Sequence, residues 1–438
     1  MQESMLPMVR AGLEAALDRA AAGGASARIR FERTRRTRVE FESGRLKRAA
    51  ETADFHFTLD VVRDGHRASV SGNDIAALPE LVDRALTLSA VGSVAHFDAF
   101  PPPAPVTETP RYAAVTAAVT RQDLIDACEA VVEPLKERDP DLDIRATGEV
   151  RAGEGLTLTT GGVDHTERET LWSFGAGVQR TEGTDMLFCG DGRAWRDAGA
   201  FWEPEAVLER IRWDLDHGGE LADPPTGAAN AFFPAETMPM LLASLQLGLN
   251  GRNVAKGDSP LRNRLGEQVL SPAFTLVDNP HRAYAPGAAE IDDAGVPARR
   301  QVLVEGGVPK CFLYDLDSAG LADTAPTGNP GCRPHNPEIT PGETPSAALL
   351  GGIDDGIYIK SLIGFGQSNI VNGDISCNVG LGYRIRNGAV VGRVKNTMVA
   401  GNLYDLLGEG LRLSSDVHPV TLHPCAVVEG LHVSAAGG

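Results

Sequence analysis

Hydrophobic and polar positions follow two different periods in the first part of the chain. Apolar residues at helical spacing over positions 5–21 predict an amphipathic helix. From Ala27 to Gly72 the pattern changes to strict alternation, which predicts four strands of an antiparallel sheet. Asn73-Asp74 then opens a second helix, and the prolines of 101–105 predict a stiff extended linker. A helix–sheet–helix unit therefore precedes the linker.

The same order of elements is predicted again beyond the prolines. A helix over 121–137 is followed by strands and then by a helix from Pro204 to Leu215. The strands are expected near 142–150, 155–160, 168–177 and 185–190. Two such units, 1–98 and 109–225, suggest a duplication inside an N-terminal α+β domain of residues 1–225.

The remaining residues, 226–438, predict a strand-rich C-terminal domain, so the whole chain is assigned to the α+β class. A helix is expected from Glu236 to Leu249, and Asn387-Gly388 between two alternating runs predicts a tight type I′ hairpin. Asn402 is placed to cap a helix that starts at Leu403. Six prolines over 326–345 predict a long irregular loop.

Charge and cysteine usage exclude several classes of protein. The chain has 41 Lys and Arg against 59 Asp and Glu, a net charge of −18, and such a chain repels nucleic-acid phosphates. Six scattered cysteines without paired spacing are typical of a reducing compartment. No apolar run approaches the roughly 18 residues of a membrane helix. We expect a cytoplasmic protein that binds neither nucleic acid nor membrane.

A family resemblance rests on the C-terminal half of the chain. The carrying segments are GFGQSNIVNGDISCNVGLGYRIRNG, NTMVAGNLYDLL, SPLRNRLGEQVLSPAFTLVDNP and DDAGVPARRQVLVEGGVPKCFLYDLDSAG. They resemble the PmbA/TldE branch of the TldD/PmbA family, named for modulation of DNA gyrase and better described as a metallopeptidase system. In the TldD branch, a helix with the motif His-Glu-x-x-x-His holds zinc through two histidines, while the glutamate acts as general base.

The equivalent helix of this chain lacks those groups. In the TldD branch the motif is followed by Gly-Leu-Glu-Gly. Aligning Gly248-Leu249 and Gly251 with that sequence puts Leu242 and Leu247 at the histidine positions and Ala243 at the glutamate. No His or Cys occurs between positions 218 and 280, so a small shift of register does not restore the site. We expect no catalytic residue and no metal in this chain.

The resemblance therefore implies a non-catalytic subunit. A TldE-like chain is expected to pair with a zinc-bearing TldD-like chain and to enclose unfolded or modified peptides; a homodimer is a further expectation. The zinc would then belong to the partner. Two glycine-containing segments are predicted to line the peptide chamber: Gly364, Phe365, Gly366, Asn372, Gly373, Asp374, Ser376, Cys377 and Asn378.

Two alternatives remain open from the sequence. The chain could be a free-standing hydrolase with an unrecognised nucleophile, for which Cys377 is the candidate, or a non-enzymatic binding module of the gyrase-modulator type. Substitute metal ligands are also weighed, at Cys332-Arg-Pro-His335 and among His418, His423 and Cys425. Each of these groups has only half of a usual zinc site.

Overall fold

The computed structural model describes residues 4–435 and has an α+β architecture, with 27% helix and 39% strand. The helices are α1 (Leu6–Ala22), α2 (Leu78–Ser89), α3 (Ala114–Ala117), α4 (Arg121–Arg138), α5 (Ala198–Phe201), α6 (Pro204–His217), α7 (Met238–Gly248), α8 (Gly251–Lys256), α9 (Leu316–Leu321), α10 (Ser346–Gly351) and α11 (Leu403–Leu406). The strands are β1 (Ser26–Glu42), β2 (Arg45–Arg63), β3 (His66–Gly72), β4 (Ser93–Val94), β5 (Asp143–Thr159), β6 (Asp164–Glu182), β7 (Asp185–Trp195), β8 (Gly227–Phe233), β9 (Leu276–Asp278), β10 (Gln301–Glu305), β11 (Val308–Pro309), β12 (Pro337–Ile339), β13 (Asp355–Ile363), β14 (Asp374–Arg386), β15 (Ala389–Arg393), β16 (Thr397–Asn402), β17 (Arg412–Val417) and β18 (Pro424–Ala435).

The N-terminal part forms one antiparallel sheet of seven strands in the order β4-β3-β2-β1-β5-β6-β7. β1 pairs with β2 on one side and with β5 on the other, so the two predicted units share a single sheet. Helices α1 and α2 pack on one half of this sheet, and α4 and α6 pack on the other half. The element order does repeat, while the duplication and the proposed domain limits stay predictions.

The strands of this sheet are longer and fewer than the sequence suggested. Four strands were expected between Ala27 and Gly72, but the alternating runs around Ile29 and Val39 belong to the single strand β1. β5 likewise joins two runs that were predicted as separate strands. The residues in the middle of β1 are polar and partly exposed, a pattern typical of a loop between two strands. They nevertheless continue the strand, because pairing with β2 and β5 satisfies their backbone hydrogen-bonding groups.

The C-terminal strands form a closed ring. β13, β8, β18, β16 and β14 pair in that order, and β14 also pairs with β13. The pair β8–β13 is parallel, and the other pairs of the ring are antiparallel. The hairpin β14–β15 turns at Asn387 (φ 48°) and Gly388 (φ 76°), which confirms the predicted type I′ turn. Asn402 accepts a hydrogen bond from the Tyr404 N–H at the start of α11, as expected of a cap.

The proline-rich segment 326–345 is ordered around one buried carboxylate. Asp278, fully buried on β9, accepts hydrogen bonds from the Asn329 side chain (2.8 Å) and from the backbone N–H groups of His335 (2.8 Å) and Asn336 (2.9 Å). The expectation of a wholly irregular loop was wrong, because β12 lies within this segment and adds a strand to the four-stranded sheet β11-β10-β9-β12. No helix among the described residues has the length and apolar character needed to cross a membrane.

Candidate functional site

Helix α7, which the family resemblance aligns with the metal-binding helix of the TldD branch, packs into the core of the C-terminal domain. Leu242 is fully buried, whereas Ala243 and Leu247 are half-buried. Met240 is only half-buried, because it borders a cavity. The apolar residues of α7 and its C-terminal neighbour that complete the core are Met238, Leu241, Leu245 and Leu249.

These residues do not fit a zinc ion. The three motif positions offer hydrocarbon side chains, whereas zinc is bound through nitrogen, sulfur or carboxylate oxygen. Over residues 4–435, no cluster of three or more His, Cys, Asp or Glu side chains has an arrangement that could hold a metal ion. The geometry of α7 therefore supports a packing role for Leu242.

A tyrosine joins α7 to the turn that precedes β14. The Tyr404 hydroxyl lies 2.8 Å from the Ser244 carbonyl oxygen of α7 and 3.3 Å from the Val371 carbonyl oxygen. Asn402 adds a second tie, since its Nδ2 donates to the Asn372 carbonyl (2.9 Å) and to Asp374 Oδ1 (3.0 Å). The structure thus brings α7 next to one of the two segments predicted to line a chamber.

Those two predicted segments occupy a loop and an alternating strand. Gly364 (φ 87°) and Gly373 (φ 92°) adopt left-handed backbone conformations that favour glycine. Phe365 packs against the C-terminal core, and Gly366 is exposed. Along the start of β14 the exposed members of the predicted set are Asn372, Asp374, Ser376 and Asn378. Their role in lining a chamber stays a prediction.

Cys377 is a core residue on β14. It is 1% exposed, and it packs among the apolar side chains of the C-terminal core. Burial raises the pKa of the Cys377 thiol above its ordinary value, although hydrogen bonds from Ser368 and the Ser376 backbone oppose the shift. A nucleophilic cysteine needs the opposite shift and access to solvent. These observations give no support to the Cys377 alternative.

Two of the histidines considered as metal ligands, His335 and His423, lie against backbone carbonyl oxygens, whereas the third, His418, accepts from backbone N–H groups. His335 Nε2 lies 2.7 Å from the Gly328 carbonyl oxygen, and His423 Nε2 lies 3.0 Å from that of Pro337. Burial is the largest cause that lowers the pKa of His423 to about 4, so its imidazole is neutral at pH 7. These contacts explain both side chains as parts of the loop structure.

Two open cavities lie between the N-terminal sheet and the C-terminal domain, and we call them together the interdomain cleft. The larger cavity has a volume of about 880 Å³ and the smaller one about 590 Å³, and Glu236 and Lys360 line both. The larger cavity is bordered by Met240 of α7 and by two cross-strand glycine pairs, Gly175–Gly192 and Gly177–Gly190. The backbone of β6 and β7 is bare of side chains at these pairs.

A buried charged cluster borders the cleft, because Lys360, which lines both cavities, pairs with Asp214. Asp214 of α6 is fully buried, 2.6 Å from the Lys360 ammonium and 2.8 Å from the Tyr383 hydroxyl. Burial raises the pKa of the Asp214 carboxyl, while Lys360 and the two hydrogen bonds act in the opposite direction. Trp213 lies beside the cluster, with the Lys360 ammonium 5.8 Å from its ring centroid. The cluster joins α6 to the C-terminal ring.

Reasoning from sequence missed the residues of this cleft. α6 was predicted only as a helix, and Asp214 occupies the buried stripe that Val207 and Ile211 define. A charged residue on an apolar stripe was the available signal, because a carboxylate there needs a partner from elsewhere in the fold. The partner, Lys360, lies on β13. Because Asp214 and Lys360 are far apart in the chain, the sequence alone does not show that they are in contact.

Comparison with known proteins gives the class to which this fold belongs. The family model described as "PmbA/TldA metallopeptidase C-terminal domain" matches residues 226–435, and "PmbA/TldA metallopeptidase domain 1" matches residues 27–89. Together these models match more than half of the chain. The chain belongs to the TldD/PmbA metallopeptidase family.

Individual relatives agree with this assignment. An uncharacterized protein of Methanocaldococcus jannaschii is 29% identical over 189 residues, which is 41% of this chain and 44% of the relative. A "Metalloprotease TldD homolog" of Buchnera aphidicola subsp. Schizaphis graminum is 27% identical over 203 residues, 42% of each chain. The match thus spans less than half the length of either relative. The structure of TldE from Thermococcus kodakarensis superposes with a TM-score of 0.87 over 97% of this chain and all of that one, at 20% identity, which shows the shared fold.

Proposed function

We propose that this chain is the non-catalytic, TldE-like subunit of a heteromeric zinc metallopeptidase. One observation carries the proposal: the motif helix presents Leu242, Ala243 and Leu247 where the metal ligands and general base of a catalytic subunit would lie. A chain with these residues keeps the fold without the chemistry of the site. The zinc and the catalytic glutamate would come from a TldD-like partner.

The proposed role of this chain is to bind and enclose unfolded peptides beside the partner's zinc. The interdomain cleft supports this role, since its volumes match those of binding cavities and bare backbone borders its larger part. The exposed residues of the segments 364–366 and 372–378 are proposed to complete the chamber wall. The complex is proposed to be cytoplasmic.

Co-expression tests the proposal. This chain would be produced alone, with a TldD-like chain that has an intact His-Glu-x-x-x-His motif, and with the same partner carrying Gln in place of the motif glutamate. We expect zinc in both complexes, because the motif histidines are intact in each, and cleavage of an unfolded peptide only from the complex with the intact partner. The Gln partner should form the same complex without cleavage. Full activity of this chain alone, or of the partner alone, would overturn the assignment.

The gyrase-modulator alternative is less well supported. The net charge of −18 opposes binding to DNA. Salt-sensitive retention of the pure chain on DNA would be the observation in its favour.

A further inference from the structure

The smaller cavity of the cleft has an aromatic wall. The rings of Phe232 and Tyr358 stack with centroids 5.0 Å apart and an angle of 24°, and the Trp213 ring lies 5.4 Å from that of Tyr358. All three residues line the cavity. The buried Asp214–Lys360 pair next to Trp213 holds this wall in place before any ligand enters. Such a surface suits an apolar side chain.

Cationic and polar donors form another part of the same cavity. Arg193 of β7 and Arg210 of α6 line it together with His418. The His418 Nδ1 atom lies 3.3 Å from the backbone N–H groups of Val420 and Thr421, so it accepts and leaves the proton on Nε2. Burial, with Arg193 as the next cause, lowers the pKa of His418 to about 4, so that the imidazole stays neutral at pH 7.

The acidic residues of the cavity are mostly engaged by other groups. Glu236 pairs with Arg210, and both oxygens of Asp416 accept hydrogen bonds from Ser346. Glu209 is exposed at the rim. Arg193 is the cation of this cavity best placed to bind a ligand. Arg210 and Lys360 pair with Glu236 and with the buried Asp214, whereas Arg193 pairs with Glu203, whose side chain is 59% exposed.

Two buried atoms among the lining residues have no hydrogen-bond partner in the described part of the chain. One is a donor, Nε of Arg193, whose side chain is only 8% exposed, and the other is an acceptor, Oε2 of Glu236. Buried polar atoms without partners are rare in folded proteins and call for an explanation. The C-terminal residue of a peptide offers a carboxylate, an N–H group and a side chain together, which are the three groups complementary to this cavity.

We propose that the smaller cavity binds the C-terminal residue of a peptide, with the carboxylate at Arg193 and an apolar side chain on the aromatic wall. The inference rests on the proposed function in so far as that peptide would be the one enclosed by the complex. It adds a substrate class: peptides with a free carboxyl end and an apolar last residue. An acidic side chain within a peptide presents the same carboxylate and is the competing source.

Three acetylated tripeptides separate these sources: Ala-Ala-Leu with a free carboxylate, the same peptide as its amide, and Glu-Ala-Leu amide. Binding to the full chain alone would be followed by calorimetry and by tryptophan fluorescence, to which Trp213 contributes. We expect the free acid to bind at least tenfold more tightly than either amide, since a hydrogen bond to a charged group is worth about 1.5–3 kcal/mol and each tenfold in affinity corresponds to about 1.4 kcal/mol. Equal affinities of the first two peptides would overturn the proposal, and so would Glu-Ala-Leu amide matching the free acid.

A variant pair locates the binding site. Arg193→Gln should lower the affinity for the free acid at least tenfold and so remove its preference over the amide. Arg19→Gln, which removes a surface guanidinium paired with Asp83, is the matched control and should keep the preference. A preserved preference in folded Arg193→Gln would overturn the assignment to this cavity. Because the measurement needs no partner and no cleavage, its result is independent of whether the complex proves to be a peptidase.

Discussion

The Tyr404 hydroxyl donates a hydrogen bond to the Ser244 carbonyl oxygen of α7 at 2.8 Å. The Val371 carbonyl oxygen lies 3.3 Å from the same hydroxyl. The Tyr404 phenol therefore connects α11, α7 and the turn before β14. Burial raises the pKa of this phenol above its ordinary value, so it remains a donor at neutral pH.

Removal of that hydroxyl should destabilise the domain without changing its packing. We expect Tyr404→Phe to lower the free energy of unfolding by about 1–2 kcal/mol, because a typical hydrogen bond contributes about 1 kcal/mol and a carbonyl left unpaired adds to the loss. Urea unfolding measures the change. Tyr112→Phe, which keeps its ring under the Arg168 guanidinium, is the matched control and should change stability by less than about 0.5 kcal/mol.

Leu242 should behave as a core residue. Leu242→Ala is expected to cost about 2–5 kcal/mol, the range for truncating a fully buried leucine. Leu321→Ala, at a position that is 41% exposed, should cost much less in the same thermal or urea unfolding experiment. Equal effects of the two substitutions would contradict the packing role of Leu242.

The chain should lose more stability when one partner of the buried Asp214–Lys360 pair is replaced than when both are replaced. Asp214→Asn leaves the Lys360 ammonium buried without its counter-charge, and breaking such a pair costs about 3–5 kcal/mol. The double variant Asp214→Asn, Lys360→Met should recover part of that stability. A double-mutant cycle in urea measures the coupling; additive effects would show that the pair contributes little.

Asp292 should make stability depend on pH. Burial raises the pKa of this carboxyl to about 6, and its Oδ1 accepts hydrogen bonds from the Ala294 and Val296 N–H groups, which an Asn carbonyl can also do. The folded state therefore binds this proton more tightly than the unfolded state, whose pKa is about 3.9. The stability that the proton contributes is full below pH about 3.9 and is lost as the pH rises through about 6.

The variant Asp292→Asn isolates that effect. Two pKa units correspond to about 3 kcal/mol, so the variant should be more stable than the parent chain by up to about that amount at pH 7 and about equal to it near pH 4. Unfolding of both proteins at several pH values gives the difference. A difference that is constant with pH would rule out Asp292 as its source.

Cys377→Ala tests the remaining nucleophile hypothesis. In the complex proposed above with a TldD-like chain, the substituted chain should support peptide cleavage at the unchanged rate, because Cys377 lies in the core at 1% exposure. In the parent chain the thiol should react with a thiol reagent only after unfolding. Loss of cleavage by a folded Cys377→Ala complex would revive the alternative.

Local patterns predicted those elements whose structure depends on neighbouring residues. The turn at Asn387-Gly388 and the cap at Asn402 were correct, because positive φ values and side-chain capping are decided within a few residues. β1 was divided wrongly, since its central residues owe their strand conformation to β2 and β5 rather than to their own polarity.

The site was less predictable than the fold. The sequence predicted helix α7 correctly, because its apolar spacing is a local pattern, whereas the alignment of Leu242, Ala243 and Leu247 with the metal motif stays a prediction. The interdomain cleft depends on contacts between residues far apart in the chain, such as Asp214 with Lys360 and Arg210 with Glu236. One sequence contains no direct record of such pairs.

Closure of the strand ring has a consequence for biosynthesis. The first strand of the ring, β8, lies between β13 and β18, and β18 is the last of the ring strands to be made. Until β13 has been made, Phe232 and Phe233 on β8 lack both neighbouring strands, and until β18 has been made they still lack one. Long-range pairing of this kind is slow and leaves nascent strands open to aggregation. We therefore expect the C-terminal domain to fold only after β18 has left the ribosome, and chaperones to act on the chain until then.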